Sequence, residues 1–329
     1  MLFEISLVFT LLILIWIIVT YRRWKQFLIL ELERNSEIAE TSVGDIEYAI
    51  RGVGPVVLFL HGGPGGYDQG LLESDLWNEG GFSVLSVSRP GYLRTPLSTG
   101  VTFEEQADVL EALIVSLGIS EVAVLGASAG GPVAIQFAKR HPRRVRALIL
   151  MAAVSKEYIV REDAKDSVLG RILLSDTAAD IGVWIYDILT RHWPSLSMRI
   201  AFKETVGLES DDMEAYVNQV MAIPEQVAWY KRFVRTTCPM SPRMIGLNND
   251  LVQLEKVAFI SLEEITCPTF VVHGTVDLDV SFSHAEFSTS SIPNARLYKV
   301  ENVGHVVWLG EHVSQMNLKL VEFLREVYS

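Results

Sequence analysis

Residues 123–131 read Ala-Val-Leu-Gly-Ala-Ser-Ala-Gly-Gly, and the serine at their centre, Ser128, decides the reading of the fold. An apolar run over 122–125 has the character of a buried parallel strand, and residues 132–138 carry a helical pattern. Between them lies Gly126-Ala127-Ser128-Ala129-Gly130, a G-x-S-x-G pattern in strand–turn–helix context. Such a turn is sharp enough to force its central residue into a strained backbone region. Its neighbours must therefore be small, and all four here are Gly or Ala. The strain presents one hydroxyl at the top of a sheet, beside a helix N-terminus whose free N–H groups can stabilise an oxyanion. The plainer alternative is that the two glycines merely close a strand–helix turn.

Outward from this turn, strands and helices alternate. Residues 45–51, 56–60, 82–87, 145–150, 268–272 and 295–300 read as strands, and 103–117 and 311–328 as helices. Thr102 and Glu105 form a capping box at the start of the helix over 103–117. The rhythm stops after residue 153 and resumes at 268. The stretch between is helical and irregular, with Trp184, Trp193, Trp229, Met213 and Met221. Alternation of this kind implies a mostly parallel sheet covered by helices on both faces. The insertion implies a cap over the C-terminal edge of the strands, where open α/β sheets bind ligands.

The N-terminus differs in kind. Residues 5–21 carry no charge, and Arg22, Arg23 and Lys25 follow at once, with Trp16, Tyr21 and Trp24 near that end. An apolar helix flanked by basic and aromatic residues describes a membrane anchor. A cleaved signal peptide would carry its positive charges before the apolar run, and a buried globular helix is the remaining alternative. The basic flank lies C-terminal to the span, which by the positive-inside rule leaves the rest of the chain on the cytoplasmic side. The expected division is an anchor over 1–25, a stalk or linker over 26–40, a first core part over 41–154, a cap over 155–262 and a second core part over 263–329.

Composition narrows the function. The 329 residues are 49% hydrophobic and 21% charged, with a formal net charge of −12. An acidic body argues against nucleic acid as a partner. The two cysteines, Cys238 and Cys267, suggest neither a disulfide framework nor metal spacing. There is no P-loop lysine, no dinucleotide fingerprint and no zinc-ligand pattern, so no cofactor and no metal are expected.

Three further signals stand at strand ends. His61-Gly62-Gly63-Pro64-Gly65 follows the strand over 56–60, where glycines let backbone N–H groups turn toward a ligand oxygen. His273-Gly274-Thr275-Val276-Asp277 places an acid just past another strand, with Asp279 as a competitor two residues on. Gly304-His305 lies between the last strand and the last helix. With these residues in the order Ser128, Asp277, His305, the chain resembles an α/β-hydrolase of the broad esterase, lipase and aminopeptidase group, over roughly residues 45–153 and 267–323. The resemblance implies Ser128 as nucleophile, His305 as general base and Asp277 as the acid that orients it. It also implies an oxyanion hole from the N–H groups of Gly63 and Ala129, with His61 holding its loop. In relatives the acid stands three residues after the strand-end glycine, which favours Asp277 over Asp279.

The chain also departs from the family pattern. Many relatives carry Asp-Arg-Pro-Gly-Tyr/Phe-Gly-x-Ser after the fourth strand, whereas here Ser88-Arg89-Pro90-Gly91-Tyr92-Leu93-Arg94-Thr95 has Ser for Asp and Leu for Gly. The His-Gly-Gly-Pro-Gly loop is similar to that of proline iminopeptidases, but those typically have Gly-Gly-Ser-Trp-Gly at the nucleophile. Dehalogenases and epoxide hydrolases of this fold use an Asp nucleophile, against which Ser128 argues. The resemblance thus implies a membrane-anchored serine hydrolase of a small, apolar carboxylic ester, either a carboxylesterase or a monoacylglycerol-type lipase. A peptidase or amidase of the proline-iminopeptidase type keeps the same residues. A non-catalytic binding protein, or a cofactor-free oxidoreductase or perhydrolase, could use the same fold.

Overall fold

In the computed structural model, which describes residues 2–159, 178–257 and 261–329, eight strands form one sheet. They are β1 (Glu37–Thr41), β2 (Gly44–Arg51), β3 (Val56–Leu60), β4 (Ser83–Val87), β5 (Val122–Ala127), β6 (Val145–Met151), β7 (Thr269–Gly274) and β8 (Ala295–Val300). Their order is β1-β2-β4-β3-β5-β6-β7-β8. The pairs β1–β2 and β2–β4 are antiparallel, and the others are parallel. The central strands β3, β5 and β7 are buried almost end to end, which is why their sequences are continuous apolar runs rather than alternating ones. The edge strand β8 is largely solvent-facing, with Arg296 and Lys299 on it, charges that discourage pairing with another chain.

Helices cover both faces. On one, Phe103–Ser116, Gly131–Arg140 and Ser283–Ser291 bury Leu110, Leu113, Val133, Phe137 and Ala285 against the sheet. The capping box forms as expected: Thr102 Oγ1 accepts from the Glu105 N–H at 3.2 Å, and Glu105 Oε2 from the Thr102 N–H at 2.9 Å. On the other face, Val313–Tyr328 buries Met316, Leu320 and Leu324 beside Trp77. The insertion between β6 and β7 is helical, with Ala179–His192, Pro194–Thr205, Ser210–Met221, Pro224–Arg235 and Met244–Leu254. Pro194 and Pro224 each open a helix, where a missing N–H costs nothing. The portions of the expected cap at 160–177 and 258–260 lie outside the described residues.

The N-terminal segment departs from the expected division. One helix runs unbroken over Leu2–Arg34, about 50 Å at 1.5 Å per residue. Its first part is apolar and exposed, long enough by length and composition to cross a membrane. Its second part is neither stalk nor linker. Leu28 is only 3% exposed and packs with Val183, Cys238, Met240 and Met244. Trp24 donates to Asp187 at 2.8 Å, Lys25 pairs with Asp180 at 2.5 Å, and Tyr67 donates to the Leu32 carbonyl at 2.6 Å. Residues 37–40, also expected in the linker, form the edge strand β1 together with Thr41. The globular body therefore begins near Tyr21 rather than at residue 41, because the helix carries an apolar face that the cap helices cover.

This docking sets where the chain can be cut. Deleting residues 1–20 should leave thermal unfolding of the body intact, whereas deleting residues 1–36 should lower its Tm sharply. In the form lacking only residues 1–20, Leu28→Ala should cost about 2–5 kcal/mol, the range for a buried leucine, read by denaturant unfolding.

Candidate active site

The nucleophile turn is built by exclusion. Ser128 sits at φ +49°, a left-handed conformation that a non-glycine residue holds only when its surroundings enforce it. A Cβ on Gly126 would lie 2.7 Å from the Ala134 Cβ, and one on Gly130 would lie 2.4 Å from the Leu60 carbonyl oxygen. Neither position admits a side chain, so β5 runs directly under the helix that follows and Ser128 stands at the sheet's edge.

Ser128, His305 and Asp277, three residues on three separate loops, come together there. His305 Nε2 lies 3.0 Å from Ser128 Oγ, and His305 Nδ1 lies 2.8 Å from Asp277 Oδ2. Asp277 is saturated: its Oδ1 accepts the N–H groups of Asp279 and Val280, both at 2.9 Å, and its Oδ2 also faces His273 Nε2 at 3.2 Å. Burial works against this carboxylate, but His305 and His273 more than offset it, holding its pKa at about 2. Asp279 takes a different position. Its carboxylate lies 3.4 Å from His305 Nε2, on the side of the ring that faces Ser128, and accepts from the Tyr158 hydroxyl at 2.8 Å. Burial disfavours charge on His305, yet the Asp277 and Asp279 carboxylates win and push its pKa up to about 9.

The loop after β3 supplies open donors. Gly62 N–H is already engaged, donating to Gln69 Oε1 at 2.9 Å. The N–H of Gly63 has no partner among the described residues, and the N–H of Ala129 opens the first turn after the nucleophile, where helix donors are unpaired. His61 is fully buried, with Nδ1 on the Gly62 carbonyl at 2.7 Å and Nε2 accepting from the Arg89 N–H at 3.0 Å. Burial, with Arg89 alongside, holds its pKa well below the usual histidine value, so it is a neutral brace for the loop.

Several supporting residues lie beyond what the sequence shows. The Thr205 carbonyl, at the end of a cap helix, accepts both the Leu278 N–H at 3.3 Å and the His305 N–H at 3.2 Å. The cap thereby ties the acid loop to the histidine loop. A Cβ on Gly304 would lie 2.4 Å from that same oxygen. The Ser88–Thr95 stretch shows what its departures from the family pattern entail. Leu93, where many relatives have Gly, is held at φ +49°, and Ser88 Oγ donates to the buried Glu47 carboxylate at 2.7 Å. Arg89 forms a bidentate pair with Asp250 of the cap, buried on both sides. Only the partners' meeting in space, not any local pattern, identifies these residues.

Beside Ser128 lies a partly open cavity of about 80 Å³. Its walls include Phe59, Leu72, Trp229, Phe233, Val306 and Trp308, with Trp229 stacked on Phe233 at 5.1 Å and on Trp308 at 6.2 Å between ring centroids. Two carboxylates also line it, Asp279 and Glu73. Glu73 is 8% exposed and accepts from the Trp229 indole N–H at 2.9 Å, and burial pushes its pKa up to about 7. None of its lining residues is a Lys or an Arg. Among the described residues no group of three or more His, Cys, Asp or Glu side chains is arranged to hold a metal ion.

Comparison with known proteins agrees with this architecture. Residues 55–311 match the model of the alpha/beta hydrolase fold family, and the chain belongs to that family. It is 28% identical to an uncharacterized hydrolase, YcgS, of Bacillus subtilis, over 89% of this chain and 99% of the relative. It is 25% identical to a 2-hydroxy-6-oxononadienedioate/2-hydroxy-6-oxononatrienedioate hydrolase of Burkholderia vietnamiensis, over 85% and 91%. Among solved structures, an alpha/beta hydrolase fold protein from Nakamurella multipartita superposes with a TM-score of 0.80 at 31% identity, covering 88% of this chain and 99% of that one.

The electrostatics of His305 can be read directly. In an NMR titration its imidazole should change charge near pH 9, and Asp279→Asn should move the midpoint to lower pH because one of two flanking negative charges is gone. A midpoint at the ordinary histidine value, unmoved by the substitution, would show that the two carboxylates do not act on the ring together.

Proposed function

We propose that this α/β hydrolase is a serine esterase that cleaves a neutral carboxylic ester with a short to medium apolar acyl group. The observation that carries the reading is the continuous relay from Asp277 through His305 to Ser128, at 2.8 and 3.0 Å. Ser128 Oγ attacks the ester carbonyl carbon as His305 Nε2 takes its proton. The tetrahedral oxyanion rests on the N–H groups of Gly63 and Ala129. His305 returns the proton to the departing alcohol, leaving an acyl-enzyme, which a water activated by His305 then hydrolyses. Asp277 keeps the Nδ1–H tautomer and stabilises the imidazolium.

The cavity's charge discriminates between reactions on this scaffold. Asp279 lines it and none of its lining residues is a Lys or an Arg, so the carboxylates of a nonadienedioate would find no guanidinium or ammonium partner there, whereas a neutral ester needs none. The aromatic and leucine walls favour an apolar acyl group, each buried CH₂ contributing up to about 0.8 kcal/mol. The apolar part of the N-terminal helix is read as a membrane anchor, with the body on the cytoplasmic side because Arg22, Arg23 and Lys25 follow the span.

A panel of p-nitrophenyl esters and aminoacyl arylamides tests the reading. kcat/KM should rise from acetyl to butyryl or hexanoyl and fall for longer chains, with arylamides far slower. Because a general base must be neutral, kcat/KM should climb as pH rises toward about 9 and fall below it as His305 protonates. Ser128→Ala should abolish turnover, and Asp277→Asn should lower kcat on the order of 10⁴-fold with little change in KM. Faster cleavage of arylamides than of esters would make the enzyme an amidase. Undiminished turnover by Ser128→Ala would remove the triad altogether.

A further inference from the structure

A second cavity, of about 310 Å³, lies between the N-terminal helix, the segment after the oxyanion loop and the cap helix Pro224–Arg235. That volume falls in the range of small-ligand sites, about 300–1,000 Å³. Leu28 and Leu32 of the N-terminal helix and Leu71 and Leu72 of the body give it apolar walls. Leu72 lines this cavity and the Ser128 cavity alike, so the two are neighbours. Their charged linings differ. The Ser128 cavity holds Asp279 and Glu73, whose carboxyl also feels the Arg232 charge, whereas Arg51 and Arg232 line the second cavity, and among the described residues neither arginine makes a close ion pair. The acidic residues of the second cavity are already matched: Glu31 pairs with Arg235 at 2.8 Å and Asp68 with Arg243 at 2.8 Å. The wall formed by the N-terminal helix lies only some 10 Å beyond its apolar stretch, since residues 21 and 28 are seven helical steps apart.

We propose that this second cavity binds a single-chain carboxylate amphiphile, the chemical form of the acid released when the Ser128 site hydrolyses its acyl-enzyme. The chain lies along Leu28, Leu32, Leu71 and Leu72, and the carboxylate meets Arg51 and Arg232. The released acid is neutral as an acyl group and anionic as a product. Hydrolysis therefore gives it a charge that the arginines of the second cavity can pair with. The identity of the ligand as product rests on the esterase reading; the binding site itself rests on the cavity.

The test uses the full chain carrying Ser128→Ala, in phosphatidylcholine nanodiscs, with a diazirine-bearing dodecanoate as probe and its alcohol analogue as the neutral control. Irradiation and peptide mapping should place the carboxylate probe on residues 28–35, 67–72 or 232–238, and unlabelled dodecanoate should compete. Arg51→Gln with Arg232→Gln should weaken the carboxylate roughly tenfold and leave the alcohol unaffected. Leu28→Trp, which fills the space, should exclude both, with circular dichroism and thermal unfolding reporting that the fold is kept. Labelling confined to residues 5–21 would overturn the proposal, as would equal labelling by acid and alcohol insensitive to the arginines. Turnover of p-nitrophenyl butyrate by the unsubstituted chain separates the two readings. Labelling without turnover would leave the site and remove the esterase; turnover without labelling would do the reverse.

Discussion

The positive φ of Ser128 is the constraint on which the site depends. Holding a serine in the left-handed region costs about 1–3 kcal/mol, and nothing local to Ser128 offsets it. The offset comes from the layers on either side. Gly130 touches the carbonyls of Leu60 and His61 at the end of β3, and Gly126 touches the helix that follows. The turn can stay strained because β5 lies fully buried at the centre of the sheet and Gly131–Arg140 is sealed against it. The same contacts that enforce the strain also bring the loop after β3, with Gly63, to the serine. Ser128 and the Gly63 loop are therefore positioned by one packing arrangement.

The histidine is held differently, by charge and by the cap. Asp277 has all of its acceptor capacity engaged on His305, His273 and two backbone N–H groups, so it cannot swing away from the ring. Asp279 adds a second negative charge near Nε2, the nitrogen that faces Ser128. The result is an imidazole more basic than a free one. The Thr205 carbonyl fixes the backbone of both loops, which makes the cap part of the machinery's geometry rather than only a cover.

Much of this could be read from the chain, for a physical reason. The elbow glycines, the glycine-rich loop after β3 and the strand-end acid are local steric necessities, so each leaves a mark within a few residues. The sheet's central strands were legible because burial on both faces demands unbroken apolar runs. Docking of the N-terminal helix was not, because Leu28, Trp24 and Lys25 meet partners more than 150 residues away in the cap and no periodicity records such a meeting. Thr205 and Glu73 escaped because their partners are likewise far along the chain. Leu93 is instructive: the sequence flagged a missing glycine, and the structure shows a leucine at φ +49° in that place, beside a carboxylate, Glu47, that pairs with Arg94 at 2.7 Å.

The central claim is that the Ser128 oxygen carries the acyl group between the two halves of the reaction. The most direct measurement is rapid acid quenching of p-nitrophenyl butyrate turnover followed by intact mass and peptide mapping. The account predicts one butyryl group per chain, on the peptide containing Ser128, appearing with the first equivalent of nitrophenol and decaying on chase. Sustained hydrolysis with no acyl adduct at any time point, or an adduct on another residue, would contradict it.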